Sequence, residues 1–243
     1  PVCRAIPIVA PAPAGGWRNP PLSSTTASQA RLALRDLREG AGQSELWLLL
    51  GWVDIRRRYR RSALGPFWLT LSMGVMIGGI AVVNSGLFGV TMGALLPSFS
   101  IGVVLWGLIS TCATEGCAAF TASDSLIRQS RQPFTVHVLR VIWRNLIIFF
   151  HNLVITVVVL AFFAPPPPLG VPAALLGLLA VLGNLGWSVL LLGILCARFR
   201  DLPQIVGSVL QIAFFITPIF WLPEQLSGPR SAIVAWNPFY HLL

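Results

Sequence analysis

Long apolar stretches without charged side chains constrain this chain most. The first runs from Leu64 to about Phe88, and four more follow it. An α-helix rises about 1.5 Å per residue, so a segment of this length covers a hydrocarbon core of about 30 Å. With 55% hydrophobic and 10% charged residues among 243, the chain has too few polar side chains to solvate a water-soluble domain. The sequence therefore predicts an all-α membrane protein, a polytopic helical bundle.

The apolar segments predict five membrane spans and the start of a sixth. Glu115 is the only acidic residue within the five and needs a partner or water at that depth. Arg140 and Arg144, in the first turns of the third span, are expected to extend to the membrane surface. A turn is predicted around Pro97, and four consecutive prolines at 165–168 predict an extended connector. The predicted spans are 64–88, 99–120, 137–163, 171–195 and 202–221, and a sixth, expected to be truncated, begins near residue 238.

The basic residues predict the orientation and exclude two functions. All 17 are arginines, and nearly all precede the first span or lie in the loops after the second and fourth spans. Arginine-rich loops face the cytoplasm, so the N-terminus is expected inside. The arginines flank spans and form no nucleic-acid footprint. Because the chain has no lysine, it has no phosphate-binding loop of the Gly-x-x-x-x-Gly-Lys type, and any ATP hydrolysis must occur on another chain.

The region before the first span divides into two predicted parts. Residues 1–43 are interpreted as a low-order N-terminal leader, since the first 30 are rich in Pro, Ala, Ser and Thr. Residues 44–63 are predicted to form a cytoplasmic amphipathic interface helix, with Trp47, Trp52 and Tyr59 at the headgroup layer and arginines on lipid phosphates. A soluble capping helix remains the alternative. The transmembrane domain then covers residues 64–243.

Several motifs, in their order and their positions relative to the spans, resemble the ABC-2 type permeases of polysaccharide export. They are DIRRRYR (54–60), LGPFWLTLSMG (64–74), RFRDLPQIV (198–206), TPIFW (217–221) and NPFY (237–240). The resemblance covers about residue 46 to the end and departs in the first 30 residues and the incomplete last helix. It implies a homodimer of six-span subunits in the bacterial cytoplasmic (inner) membrane, in contact with the lipid bilayer.

The resemblance also implies a function. A permease of this kind exports a lipid-linked polysaccharide of the O-antigen, capsule or teichoic acid type. It binds no cofactor and performs no covalent chemistry, and a separate ATPase subunit binds ATP and Mg²⁺. The interface helix and the loop after the second span are expected to contact that ATPase. The predicted coupling residues are Asp54, Arg56, Arg57, Arg58, Asp124, Arg128 and Arg131.

Aromatic side chains are candidates for the substrate pathway, because sugars present apolar C–H faces that stack on aromatic rings. The candidates are Phe67, Trp68, Phe214, Phe215, Phe220 and Trp221. The assignment of the coupling residues and that of the pathway aromatics both have alternatives. The arginines could serve only to fix topology and bind anionic lipid, and aromatic residues near span ends are ordinarily belt residues that face headgroups.

Four rival interpretations remain open. A drug or antibiotic efflux permease would share the topology, and a secondary transporter would show more spans and more charges at mid-membrane. An intramembrane hydrolase needs a nucleophile paired with a base, and the sequence has no Gly-x-Ser-x-Gly motif. His137 and His151, with Glu115, could suggest a metal or proton site, although a buried histidine bonded to a neighbouring helix is the commoner arrangement.

Overall fold

Helices make up nearly all of the described chain. The computed structural model describes residues 26–60, 65, 67–88, 91–130, 132–163, 170–219, 221 and 236–242. No strand occurs in these residues, which confirms the all-α prediction for them. The helices are α1 (Thr26–Gly42), α2 (Ser44–Arg58), α3 (Phe67–Phe88), α4 (Met92–Cys117), α5 (Asp124–Gln129), α6 (Phe134–Phe163), α7 (Gly170–Arg198) and α8 (Leu202–Ile216), with a 3-10 turn at Thr121–Ser123.

The chain divides into two compact units, Pro1–Arg35 and Asp36–Leu243, and the packing described below lies within the second. The low-order prediction for residues 1–43 is wrong for 26–42, which form α1. The reason is local, because residues 30–39 consist almost entirely of Ala, Leu, Arg and Glu, which are strong helix formers. Residues 1–25 lie outside the described part of the chain.

Four of the described helices are long and apolar enough to cross a membrane. The apolar segments are Phe67–Gly86, Leu95–Cys117, Phe134–Phe163 and Gly170–Arg198. They correspond to the first four predicted spans and establish a multi-pass membrane protein. The six-span count and the interface role of α2 stay predictions.

The second span differs from its predicted bounds at the start. Helix α4 begins at Met92, and Pro97 lies inside it instead of forming a turn. Proline at this point removes one backbone hydrogen bond, that to the carbonyl of Gly93. Near this point the hydroxyls of Ser98 and Ser100 donate to the carbonyl oxygens of Leu95 (3.1 Å) and Pro97 (3.0 Å) of the same helix.

The predicted fifth span, 202–221, is shorter in the structure. Helix α8 has 15 residues and ends at Ile216, which gives about 22 Å, less than the hydrocarbon thickness. Thr217 is extended, with ψ 134°, because the following Pro218 disfavours helical geometry in the residue before it. Residues 238–242 form turns, and the predicted start of a sixth span near 238 stays a prediction. The Asn237 side chain accepts the Phe239 N–H at 3.0 Å, which is the bond that an N-cap residue makes at the start of a helix.

Helix α4 lies at the centre of the bundle and contacts α3, α6, α7 and α8. It crosses α7 closely near the end of α4. A Cβ atom on Gly116 would lie 3.2 Å from Val189 Cγ1, and one on Gly193 would lie 2.8 Å from the ring of Phe120. Larger side chains at these glycines would separate the helices. Cys112, Cys117 and Cys196 are buried and unbridged, in agreement with packing roles.

Helix α2 packs against the first half of α6. A Cβ atom on Gly51 would lie 2.8 Å from Trp143 Cδ1, so only glycine permits this approach. The ring of Trp47 meets that of Trp143 edge to face, with centroids 6.2 Å apart. The start of α6, the end of α4 and α2 therefore meet at one end of the bundle.

Candidate functional site

Five charged side chains from α2, α4 and α6 form an ionic cluster at this end of the bundle, and we call Asp54, Arg58, Glu115, Arg140 and Arg144 the charge cluster. Arg140 donates to both carboxylate oxygens of Asp54, from Nε at 2.7 Å and from Nη2 at 2.6 Å. Arg144 Nη1 donates to Asp54 Oδ2 at 2.9 Å. The carboxylate on α2 is thus held by two guanidinium groups of α6.

Glu115 of α4 completes the cluster. Its Oε2 accepts hydrogen bonds from Nε (3.0 Å) and Nη2 (2.5 Å) of Arg144 and from Asn145 Nδ2 (2.7 Å). Its Oε1 accepts from Nη2 of Arg58 at 2.6 Å. Arg144 therefore bridges the carboxylates of Asp54 and Glu115, and the partner that the lone mid-span acid requires is found.

The cluster is shielded from solvent except at Arg58. The exposed side-chain fractions are 12% for Asp54, 16% for Arg144, 19% for Arg140, 20% for Glu115 and 44% for Arg58. Arg140 and Arg144 do not extend to the surface as expected, because carboxylates on neighbouring helices bind their guanidinium groups. Three guanidinium groups face two carboxylates, so the cluster carries one excess positive charge.

The charges of the cluster also set the ionisation of Asp54. Burial alone raises the pKa of the Asp54 carboxyl, but the hydrogen bonds and positive charges of Arg140 and Arg144 outweigh burial and lower that pKa below its ordinary value. Asp54 is consequently ionised at neutral pH, and the ion pairs between α2 and α6 are complete.

A second polar contact joins α1 to α6. Asp36 Oδ1 accepts the backbone N–H of Phe134 at 2.9 Å, and its Oδ2 accepts the N–H of Thr135 at 3.1 Å and the Thr135 hydroxyl at 2.7 Å. The first N–H groups of a helix have no partner within the helix, and a carboxylate there also complements the helix dipole. Gly40 permits the approach, since a Cβ atom on it would lie 2.5 Å from Thr135 Cβ. Asp36 thus caps α6.

Among the predicted coupling residues that the structure describes, Asp54 and Arg58 belong to the charge cluster. Arg56 and Arg57 are exposed, and neither forms an ion pair in the described part of the chain. Asp124 and Arg128 pair with each other on α5 at 2.9 Å and are exposed. Arg131 lies outside the described residues. The predicted coupling residues do not include Glu115, Arg140 or Arg144. The sequence offers one signal for them, since Glu115 is the lone acid of the second span and the third span carries two arginines four residues apart.

The predicted pathway aromatics that the structure describes lie at two places, on α3 and on or just after α8. Phe67 and Trp68 are exposed on α3, Phe215 is exposed on α8, and Phe220 lies outside the described residues. Trp221 Nε1 donates to the Phe215 carbonyl at 3.4 Å. Phe214 instead packs inward, with its ring centroid 5.7 Å from that of Trp106.

A groove of about 420 Å³ lies between α3, α4 and α8. Within it, Phe214 is the one residue that was predicted for the pathway. A smaller cavity of about 290 Å³ borders α3 and α8 and includes Phe214 and Phe215. The residues that line the groove are Met73, Met76, Val103, Trp106, Gly107, Ser110, Thr111, Thr114, Gly207, Leu210, Gln211 and Phe214.

Two of the sequence motifs meet beyond the end of α8. Asn237 Nδ2 donates to Thr217 Oγ1 at 2.9 Å in a buried contact, although 20 residues separate the two in sequence. Phe239 then packs on Trp106, with ring centroids 5.3 Å apart. The TPIFW and NPFY motifs therefore contact each other, and Phe239 contacts α4.

No metal centre is found among the described residues, where no group of three His, Cys, Asp or Glu side chains is suitably placed. Glu115 is bound by arginines, and His151 Nδ1 lies 2.8 Å from the Ile147 carbonyl oxygen in its own helix. His137 is buried at the start of α6. The three residues of the suggested metal or proton site thus have separate surroundings.

Comparison with known proteins gives two findings. The family described as ABC-2 type transporter matches residues 45–243, which begin in α2 and include the four candidate spans, the charge cluster and the groove. The chain is also similar to the O-antigen export system permease protein RfbA of Myxococcus xanthus. The two are 29% identical over 199 residues, which cover 78% of this chain and 74% of the relative.

Proposed function

Because this chain belongs to the ABC-2 type transporter family, we propose that it is the membrane-spanning permease of an exporter for a lipid-linked polysaccharide. The observation that carries the substrate class is the similarity to RfbA, an O-antigen export permease, over 78% of this chain. The proposed location is the bacterial cytoplasmic membrane, with the N-terminus inside, since arginine-rich loops favour that side. The working unit is a homodimer of six-span subunits with two copies of a separate ATPase.

The charge cluster supports a specific coupling mechanism. Exposed Arg56 and Arg57 on α2 are suited to a contact that forms and shifts in each cycle, because exposed charges steer docking without locking it. When the ATPase subunits bind ATP and close, they move α2. Asp54 transmits this movement through Arg140 and Arg144 to α6, and Arg58 transmits it directly to Glu115 of α4. The spans then open a pathway for the glycan.

Deletion and purification test this proposal. Deleting the gene in its source bacterium should remove the exported glycan from the cell surface, and the intact gene should restore it. Glycan at the normal level in the deletion strain, together with increased drug sensitivity, would instead support the efflux alternative. The purified protein should bind its ATPase partner and alter the rate of ATP hydrolysis.

The coupling surface needs a separate comparison. The double substitution Arg56→Ala/Arg57→Ala should weaken binding of the ATPase subunit while the permease stays folded, because neither side chain has an ion pair among the described residues. Arg198→Ala is the matched control, as it removes an exposed arginine at the end of α7 that is outside the proposed contact. Equal ATPase binding by both variants would place the contact elsewhere.

A further inference from the structure

We infer that Asp36 is a positioning residue for the ATPase contact, because it holds the end of the loop that carries α5 against the start of α6. We call residues 121–133, which precede α6, the α5 loop. The inference rests on the proposed function and on the prediction that the loop after the second span contacts the ATPase. It gives a role to the end of α1, a segment for which the sequence predicts low order.

The two ends of the α5 loop meet through a pair of phenylalanine rings. Phe120 comes just before the loop and Phe134 just after it, and their ring centroids lie 5.6 Å apart, edge to face. Phe120 is buried, and a Cβ atom on Gly193 of α7 would lie 2.8 Å from its ring. The start of the loop is therefore packed against α7, and the position of its end depends on Phe134.

Asp36 restrains the backbone at that end. Its carboxylate accepts hydrogen bonds from the N–H groups of Phe134 (2.9 Å) and Thr135 (3.1 Å) and from the Thr135 hydroxyl (2.7 Å). Packing holds Phe134 on one side only, since its side chain is 52% exposed. The hydrogen bonds to Asp36 supply a restraint that packing alone does not give.

The closed loop presents one face of α5 outward. Leu126 and Ile127 are half-buried, and Ile127 packs against the core of the bundle. The polar residues of α5 that are exposed are Asp124, Ser125, Arg128 and Gln129. A helix of six residues is too short to be stable by itself, so the position of α5 depends on how the two ends of its loop are held.

The same carboxylate joins the α5 loop to α2. Only Gln43 separates α1 from α2, and its N–H donates to the carbonyl oxygens of Glu39 (3.2 Å) and Gly40 (3.3 Å). Gly40 lies against Thr135, where a Cβ atom would come within 2.5 Å of the Thr135 side chain. Asp36 thus fixes the position of the α5 loop relative to α2, which carries the other proposed part of the ATPase contact. A contact whose parts are already ordered binds more tightly, because no ordering cost is incurred on binding.

The first test measures binding of the ATPase subunit to the purified full-length permease in nanodiscs. Asp36→Ala removes no residue of the proposed contact, yet its Kd should rise about three- to tenfold, because binding must then order the loop. The rate of ATP hydrolysis at saturating permease should stay within about twofold of wild type. Thr156→Val is the control, since it removes a buried hydroxyl near the other end of α6 that donates to the Ser100 carbonyl at 3.3 Å.

The outcomes separate the inference from the proposed function. A wild-type permease that binds no ATPase would refute the proposed function itself. If wild type binds, a Kd for Asp36→Ala within twofold of wild type would overturn the inference. Equal weakening by Asp36→Ala and Thr156→Val would also overturn it, because that result indicates general destabilisation.

Hydrogen exchange in the free permease measures the cause directly. Amides of residues 121–130 should exchange severalfold faster in Asp36→Ala than in wild type, and bound ATPase should reduce this difference by ordering the loop. Asp36→Asn keeps one acceptor oxygen for the Phe134 N–H, so its exchange and Kd should be intermediate, and it replaces Asp36→Ala if that variant does not fold. Exchange of these amides at the wild-type rate in both Asp36 variants would overturn the inference, whatever their effect on binding.

Discussion

Replacing Arg144 by Met should destabilise the folded protein by about 2–3 kcal/mol. Removal of one partner from a buried ion pair costs about 3–5 kcal/mol, because the remaining charge is left without compensation. The expected value is lower here for two reasons. Asp54 keeps its two hydrogen bonds from Arg140, and Glu115 keeps those from Arg58 and Asn145.

Thermal unfolding of the detergent-solubilised protein measures this loss. For a chain of this size, 1 kcal/mol corresponds to about 2–4 °C in Tm, so Arg144→Met should lower Tm by about 5–10 °C. Membrane proteins often unfold irreversibly, so all variants are compared at one scan rate. Arg56→Met makes the same chemical change at an exposed position without an ion pair in the described chain, and its Tm should stay within about 2 °C of wild type.

A double-mutant cycle separates the ion pair from packing. Glu115→Gln should lower Tm in the wild-type background but cost about 1–2 kcal/mol less in the Arg144→Met background, where its strongest partner is already absent. Two results would refute the reasoning. One is a Tm for Arg144→Met equal to that of Arg56→Met, and the other is strict additivity of the Arg144 and Glu115 substitutions.

Three further predictions concern other contacts. The pKa of Asp54 is lowered in the folded state, so the stability that its ionised carboxylate contributes is complete above the ordinary carboxyl pKa of about 4 and is lost as pH falls through the folded-state pKa. The Tm difference between wild type and Asp54→Asn should therefore narrow as pH falls from 5 to 3. A Tm difference that stays constant over this range would contradict the prediction. Asp36→Ala should cost about 1–2 kcal/mol by removing the cap of α6, and hydrogen exchange at the first amides of α6 should accelerate while the end of α6 is unchanged. Gly51→Ala places a methyl group against Trp143 and should cost about 1–3 kcal/mol, whereas Gly42→Ala, where nothing lies within 4 Å, should leave Tm unchanged or raise it; equal Tm values would argue against the close packing of α2 on α6.

The sequence was sufficient for the helical class and for four spans, since each span is a continuous apolar segment between polar ends. Helix ends were harder to predict, for reasons that differ by position. Pro97 predicts a turn, yet in the second turn of α4 it removes only one backbone hydrogen bond and the helix continues through it. The end of α8 at Ile216 depends on Pro218, whose effect on Thr217 the hydropathy pattern obscures.

The candidate site was less predictable because its geometry depends on contacts distant in sequence. The sequence indicates that Glu115 needs a partner. Its partners are Arg144, 29 residues away, and Arg58, 57 residues away, and this pairing follows from how α2 and α6 pack beside α4. The sequence pattern favours surface positions for Arg140 and Arg144, since a single span in isolation would place them there. Aromatic residues alone also gave no indication of a groove whose polar residues come from two helices.

The cap on α6 imposes an order on biosynthesis. Asp36 is synthesised 98 residues before Phe134, and its carboxylate accepts a hydrogen bond from the backbone N–H of Phe134. The segments that become α3 and α4 are synthesised between the two. At a synthesis rate of about 5–20 residues per second, roughly 5–20 s pass between the synthesis of Asp36 and that of Phe134. During that interval the first two spans must enter the bilayer and return the chain to the side on which Asp36 has remained. The contact between α1 and α6 thus forms only after an even number of crossings, and a chain that inserts one span too few or too many leaves both the carboxylate and the helix start unpaired.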